Sequence, residues 1–106
     1  MIANTPKPPY YAVIFSSLTT KADSGYSETS KRMIELASQQ NGFLGVETVK
    51  EELGITVSYW KDLASIKHWK NNTEHSLARK KGKTDWYSSF KIRIAIVERD
   101  YGFEKE

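Results

Sequence analysis

The order of hydrophobic patterns along the chain restricts its fold more than any other feature. Four segments are rich in β-branched and aromatic residues or alternate apolar with polar residues, which is typical of strands. These predicted strands cover residues 10–18, 43–51, 55–61 and 90–99. Segment 26–40 repeats apolar residues every three or four positions, as one face of a helix does, and a second helix is predicted over 62–81. The predicted order is therefore β-α-β-β-α-β.

Short polar segments mark where these elements begin and end. Residues 23–25, Asp-Ser-Gly, break the chain after the first strand, and Asn41-Gly42 supplies the left-handed cap that ends the first helix. Asp62 is a good N-cap for the second helix. Asn71-Asn72 is expected to kink or interrupt this helix, which then restarts and ends at Gly82.

This order is the ferredoxin-like pattern, an α+β fold whose helices cover one face of a four-stranded antiparallel sheet. The first strand carries apolar side chains on both of its faces, whichever face the helices cover. The two sets are Tyr10, Ala12 and Ile14, and Tyr11, Val13 and Phe15. Since a single copy would leave one set in water, we expect a homodimer with the two sheets packed face to face.

Length and composition limit the number of domains and the class of protein. The 106 residues are expected to form one domain over 10–106, preceded by an extended, proline-containing lead-in over 1–9. The chain has no cysteine, which excludes thiol catalysis and disulfides and favours a cytoplasmic location. It contains no run of about 18 apolar residues and no secretion-signal pattern, so no membrane partner is expected.

The charge pattern argues against a nucleic-acid partner. The net charge is +3, from 16 basic and 13 acidic residues. The one basic run, Arg79 to Lys83, favours a solvated helix end, where cations suit the carbonyl end of the helix dipole. A nucleic-acid-binding surface would carry basic residues along a whole face, with aromatic residues available for stacking on bases.

No metal or cofactor is expected either. His68 and His75 are seven residues apart, which places them about 10 Å apart along a continuous helix, too far to share one metal ion. No glycine-rich phosphate loop follows a predicted strand, and no flavin or nicotinamide fingerprint occurs. Ser16 and Ser17 lack the Gly-x-Ser-x-Gly context of a serine hydrolase.

Three short motifs resemble the antibiotic biosynthesis monooxygenase domain family. They are Asn41-Gly42-Phe43 before the second strand, Tyr59-Trp60 at the end of the third strand, and Trp69 followed by Glu74-His75. The similarity extends from about Tyr10 to Phe103. The resemblance implies a dimeric α+β barrel built from two ferredoxin-like protomers. It is less specific about activity, because members include cofactor-independent oxygenases, haem-degrading enzymes and small-molecule isomerases.

The resemblance implies a cofactor-independent monooxygenase that acts on a small aromatic or quinone-like metabolite. In such an enzyme the substrate forms a carbanion that reacts with oxygen, while the protein supplies a dry aromatic pocket and a base or oxyanion partner. We expect His75 to be the catalytic group, because it titrates near neutrality, and Tyr59, Trp69 and Trp86 to bind the substrate. A helix interrupted at Asn71-Asn72 cannot pack flat on a sheet, which leaves room for this pocket.

Other interpretations of the same residues remain open. Trp69 can be a core residue, His75 can fill the helix break, and Trp86 can cover the edge of the core. A non-enzymatic dimer that binds a small apolar metabolite would use the same aromatic pocket. Haem degradation fits less well, because the place of the family's haem-ligating histidine falls near Arg79 and the first strand contains no asparagine.

Overall fold

The computed structural model describes residues 1–20 and 25–106 and contains the predicted order of elements. The second helical segment is two separate helices, followed by a single π-helical turn. The elements are β1 Tyr10–Thr19, α1 Tyr26–Ser38, β2 Phe43–Lys50, β3 Gly54–Trp60, α2 Leu63–Lys70, α3 Thr73–Lys81, the π turn Gly82–Trp86, and β4 Tyr87–Val97. The strands form one antiparallel sheet in the order β2-β3-β1-β4, which confirms the predicted α+β ferredoxin-like fold.

Strand register decides which face of β1 the helices cover. Tyr11 pairs with Trp60 of β3 and with Ile96 of β4, and directly paired residues of antiparallel strands point to the same face. Trp60 is fully buried and belongs to a core cluster with Ala37 of α1 and Ile66 of α2. The helix-covered face therefore carries Tyr11, Val13 and Phe15. The opposite face, called here the open face, carries Tyr10, Ala12 and Ile14.

The lead-in lies over one end of the open face. The backbone amide of Ala3 donates a hydrogen bond of 2.9 Å to Glu47 of β2, and the Thr5 hydroxyl donates one of 2.9 Å to the hydroxyl of Tyr10. The Tyr10 hydroxyl in turn donates to Asp100, just beyond β4. Residues before β1 and after β4 therefore meet at the Tyr10 hydroxyl, at the end of the open face where Tyr10 and Ala12 are buried.

Apart from its first residue, Tyr87, which contacts Tyr26 of α1, the edge strand β4 is left uncovered by the helices. Four apolar side chains of β4 point to the helix-covered face, yet they remain between 38% and 54% exposed. We call this row the apolar shelf; it consists of Phe90, Ile92, Ile94 and Ile96. Because α1 and α2 pack over β2, β3 and β1, the shelf extends the floor of the helix-covered face outward to the sheet edge.

The predicted capping residues have specific structural roles. The Asp62 carboxylate accepts a hydrogen bond of 2.8 Å from the backbone amide of Ser65, which confirms it as the N-cap of α2. Gly42 has the left-handed φ of +88°, but α1 already ends at Ser38, so Gly42 serves the turn into β2 rather than the helix cap. Of the predicted break at 23–25, Asp23 and Ser24 lie outside the described residues; Gly25 precedes α1 with a φ of +78°.

Candidate active site at the break between the second and third helices

Three aromatic rings lead from the core to the surface at the break between α2 and α3. Trp60 is fully buried, and its ring lies 6.2 Å from that of Trp69 at an angle of 24°. Trp69 stacks in turn on the imidazole of His75, with centroids 4.1 Å apart and planes 9° apart. Both outer rings are half-buried. The structure thus brings two of the four predicted site residues, Trp69 and His75, into direct contact.

Local sequence explains why this stack forms. Asn72 is the N-cap of α3, and its side-chain oxygen accepts a hydrogen bond of 3.0 Å from the backbone amide of His75. This cap starts α3 directly after the end of α2, in a new direction. The first turn of α3 therefore lies beside the last turn of α2, where the His75 ring meets the Trp69 ring.

A backbone carbonyl selects the tautomer of His75. Nδ1 of His75 lies 2.9 Å from the carbonyl oxygen of Trp69. A carbonyl oxygen can only accept a hydrogen bond, so Nδ1 carries the proton and donates it. In the neutral ring Nε2 is then the unprotonated nitrogen, with a lone pair available to take a proton.

The surroundings of His75 keep its imidazole neutral. Burial lowers the pKa of His75 below its ordinary value, the hydrogen bond to Trp69 acts in the opposite direction, and the charge of Arg79 lowers it again. Arg79 is held in place because its guanidinium donates to the carbonyl of Lys70 at 3.1 Å. The arrangement provides a neutral histidine whose Nε2 can act as a base.

The stack borders an apolar floor. Tyr11 and Val13 pack against the core cluster together with Trp69, and their cross-strand partners are Ile96 and Ile94 of the apolar shelf. Directly paired side chains on an antiparallel pair lie about 5 Å apart. An apolar surface therefore continues from beneath Trp69 to the exposed edge of the sheet.

The structure places Tyr59 on the other side of the sheet. Tyr59 pairs with Ala12 and contacts the ring of Tyr10, so it lies on the open face, whereas Trp69 lies on the helix-covered face. Its hydroxyl donates to Glu47 at 2.7 Å, and burial together with this carboxylate raises the pKa of Tyr59 to about 12. Tyr59 therefore shares no pocket with His75, since adjacent residues of a strand point to opposite faces.

Trp86 is also separated from the stack. It is buried, contacts the ring of Tyr26 of α1, and directly precedes Tyr87, which pairs with Thr19 at the far end of β1. Trp60, the ring next to Trp69, pairs instead with Tyr11, eight residues before Thr19 in β1, or roughly 26 Å along the strand. The sequence alone could not show that Trp86 and Trp69 lie far apart, because their separation depends on the direction in which β1 runs between them.

Two further residues contribute to the site, and their positions in the sequence relative to His75 could have indicated this. Asn72 was expected only to interrupt the helix, but it lies three residues before His75 and has the spacing of an N-cap. Arg79 was expected at a solvated helix end, although a spacing of four residues places it one turn after His75 on α3.

Neither a metal cluster nor a membrane-spanning helix is found in the described part of the chain. Residues 1–20 and 25–106 contain no group of three or more histidine, aspartate or glutamate side chains arranged to hold a metal ion. Within the same residues, no helix has the length and apolar character needed to cross a membrane.

Comparison with known sequences shows the family. The sequence pattern of the family described as antibiotic biosynthesis monooxygenase matches residues 9–81, which include β1 to α3 and the whole stack. The chain belongs to this family. Trp86 and the apolar shelf of this family member lie beyond the matched residues.

Relatives of this antibiotic biosynthesis monooxygenase family member are known from sequence and from structure. It is 51% identical to the uncharacterized protein YqjZ of Bacillus subtilis (strain 168), over 98% of this chain and 93% of that protein. Its fold is similar to that of SnoaB, a cofactor-independent oxygenase from Streptomyces nogalater, with a TM-score of 0.74 at 8% identity over 86% of this chain and 95% of the other. Protein SO0527 from Shewanella oneidensis gives a TM-score of 0.75 at 10% identity, over 91% and 97% of the two chains.

Proposed function

We propose that the protein is a cofactor-independent monooxygenase for a small aromatic, quinone-forming metabolite. The single observation that carries this proposal is the stack of His75 on Trp69, in which a carbonyl holds Nδ1 and leaves Nε2 as a base. Membership of the antibiotic biosynthesis monooxygenase family supports the reaction class, and the fold shared with the oxygenase SnoaB agrees with it.

The apolar shelf suits a planar, apolar substrate. From Phe90 to Ile96 the shelf extends roughly 20 Å along β4, enough for several fused rings. We propose that such a body lies on the shelf and on the floor formed by Tyr11 and Val13, with one edge toward Trp69. Burial of apolar surface drives binding, and His75 supplies a polar group beside it.

The proposed reaction uses only the substrate, oxygen and a base. Nε2 of His75 removes a proton from a CH2 group activated by a neighbouring aromatic ketone, which leaves a carbanion stabilised as an enolate. The carbanion carbon transfers electrons to O2 and forms a C–O bond, and the protonated His75 returns the proton to the peroxide. Loss of the second C–H proton breaks the O–O bond and releases water. The balance is CH2 + O2 → C=O + H2O.

Oxygen uptake with a model substrate tests the proposal. Anthrone has the required CH2 group, and its conversion to anthraquinone should consume one O2 per ketone formed, above the rate of the protein-free reaction. His75→Gln should lower turnover by about 10²–10⁴-fold, the usual range for a general base. The Gln amide can still donate to the Trp69 carbonyl, so the loss reports on Nε2 rather than on the helix break.

Two controls separate catalysis from binding. His68→Gln removes the exposed histidine of α2 and should leave turnover unchanged. Trp69→Phe should weaken anthrone binding, measured by the change in tryptophan fluorescence. If anthrone binds but the wild-type protein adds nothing to its oxidation, the protein is a small-molecule binder and the monooxygenase proposal fails.

We also propose that two copies pair through their open faces. Tyr10 and Ala12 are buried, but Leu18 of β1 and Val49 of β2 remain 45% and 58% exposed on this face. Pairing would remove this apolar surface from water. An isologous dimer would place the two stacks on the outer sides of the assembly, because each lies on the helix-covered face of its own sheet.

A further inference from the structure

A groove separates α1 from α3, apart from the stack of Trp69 and His75. Its volume is about 470 Å³, within the range of small-molecule sites, and neither ring of the stack lines it. Its floor is apolar and is formed by Met33, Leu77, Ala78 and the buried Trp86. Leu77 is 62% exposed, so a ligand in the groove would remove apolar surface from water.

The rim of the groove carries an arginine that already holds a carboxylate. Nε of Arg32 lies 2.8 Å from one carboxylate oxygen of Glu74, and Nη2 lies 3.3 Å from the other. This is the two-point geometry in which a guanidinium recognises a carboxylate. The contact with Glu74 thus shows that a carboxylate fits Arg32. The Glu74 carboxylate occupies the position that a ligand carboxylate would take.

The pair is open to exchange. The side chains of Arg32 and Glu74 are 48% and 45% exposed, and exposed ion pairs contribute little to stability. A ligand carboxylate could therefore replace that of Glu74 on the guanidinium, while Glu74 turns into water. The apolar part of the ligand would supply the net gain by covering Leu77 and Trp86.

The remaining charges on the rim limit the ligand to one acidic group. Lys81 is already paired with Asp85, at 2.6 Å between Nζ and Oδ2. Glu28 also lines the groove, so it and the displaced Glu74 would repel a second anionic group. Shape and charge together fit a compact ring that carries a single carboxylate on a short chain.

We propose that the groove between α1 and α3 binds small aromatic monocarboxylates, with the carboxylate on Arg32 and the ring on the floor formed by Leu77 and Trp86. This site is separate from the proposed oxygenase site and does not depend on it. The groove brings together side chains of α1, α3 and the π turn, and at its rim Arg32 contacts Glu74, which is 42 residues later in the chain.

A titration followed by two-dimensional ¹⁵N NMR tests the proposal, with 3-phenylpropionate as the probe. Saturable shifts should centre on the Trp86 indole and on the amides of Leu77 and Ala78. The neutral analogue 3-phenylpropanol has the same ring and chain length but lacks the carboxylate, and it should bind about two- to fivefold more weakly, as expected on loss of an exposed ion pair.

Two rim variants should change the affinity in opposite directions. Arg32→Gln should weaken 3-phenylpropionate binding about two- to fivefold and leave 3-phenylpropanol unaffected. Glu74→Gln removes the competing carboxylate and should tighten 3-phenylpropionate binding about two- to fivefold. Lys31→Gln removes an equal charge from an exposed position of α1 and should leave binding unchanged. The ¹⁵N spectrum of each variant also reports whether it is folded.

Several results would overturn the proposal. Shifts that centre on Trp69 and His75 would assign the probe to the stack instead of the groove. Equal affinity for 3-phenylpropionate and 3-phenylpropanol would show that Arg32 does not bind the carboxylate. Weaker binding of 3-phenylpropionate by a folded Glu74→Gln variant would show the same. Absence of saturable shifts up to the solubility limit of 3-phenylpropionate would show that the groove binds no such ligand.

Discussion

Trp69 and His75 are stacked ring on ring, 4.1 Å apart, and the carbonyl of the same tryptophan holds Nδ1 of the same histidine at 2.9 Å. One residue at the end of α2 therefore sets both the plane and the tautomer of one residue at the start of α3. The contact holds the end of α2 against the start of α3. It also leaves Nε2 of His75 unprotonated and able to take a proton. The same imidazole therefore joins the two helices and offers a base.

Stability should fall when His75 is protonated. Its folded-state pKa lies below the ordinary value of about 6.5, so the unfolded chain takes up the proton first as the pH falls. The free energy of unfolding is then highest above the unfolded pKa and decreases as the pH falls through 6.5 toward the folded pKa. Urea unfolding between pH 7.5 and 5 should show this decrease.

Replacement of His75 tests the origin of that decrease. His75→Gln should flatten the pH dependence in this window, whereas His68→Gln, which removes an exposed histidine, should leave the slope as in the wild type. Carboxylates that accept hydrogen bonds, such as Glu47, have lowered pKa values and contribute only at more acidic pH. An unchanged slope in His75→Gln would contradict the assignment.

The N-cap of α3 should be worth about 1 kcal/mol, the typical cost when a capping Asn is replaced by Ala. Asn72→Ala removes the acceptor of the 3.0 Å hydrogen bond from the His75 amide, so the first turn of α3 should loosen. Chemical denaturation measures the loss, and a reduced tryptophan fluorescence change on unfolding would report a weakened stack. Asn71→Ala, at the exposed neighbouring position, is the control and should change stability by much less.

A side chain at Gly42 should destabilise the protein more than one at Gly25. A Cβ at this position would lie 2.0 Å from Oγ and 2.6 Å from Cβ of Ser65, in addition to the strain of a φ of +88°. Gly25 has a similar φ of +78°, but within residues 1–20 and 25–106 no atom lies within 4 Å of its Cβ position. Gly25→Ala should thus cost roughly 1–2 kcal/mol for backbone strain alone. Gly42→Ala should cost roughly 1–3 kcal/mol more for the clash. Equal costs in thermal unfolding would refute the predicted clash.

Sedimentation should give the mass of two chains at micromolar concentration, as proposed for pairing through the open face. Val49→Asp places a charge on an exposed, open-face position and should shift the protein to a monomer that keeps its circular dichroism spectrum. Lys31→Glu, on the exposed side of α1, should leave the dimer intact. A wild-type protein that sediments as a monomer at all concentrations would exclude the open-face dimer.

The sequence by itself determined the order of elements, their approximate ends and the capping role of Asp62. These features depend on hydrophobic periodicity and on hydrogen bonds between residues three or four positions apart, so they can be read from neighbouring letters. The break at Asn71-Asn72 could also be predicted from neighbouring residues. In the structure α2 ends at Lys70 and Asn72 is the N-cap of α3.

Only the tertiary structure decided which of these residues meet. Register placed Tyr59 on the open face and Trp60 in the core, although both belong to one predicted motif. The direction of β1 separated Trp86 from Trp69 by most of the length of the sheet. The contact between Arg32 and Glu74, two residues 42 positions apart in the chain, joins α1 to α3. Such pairings depend on how whole elements pack, and periodicity within one element does not encode which face of another element it will meet.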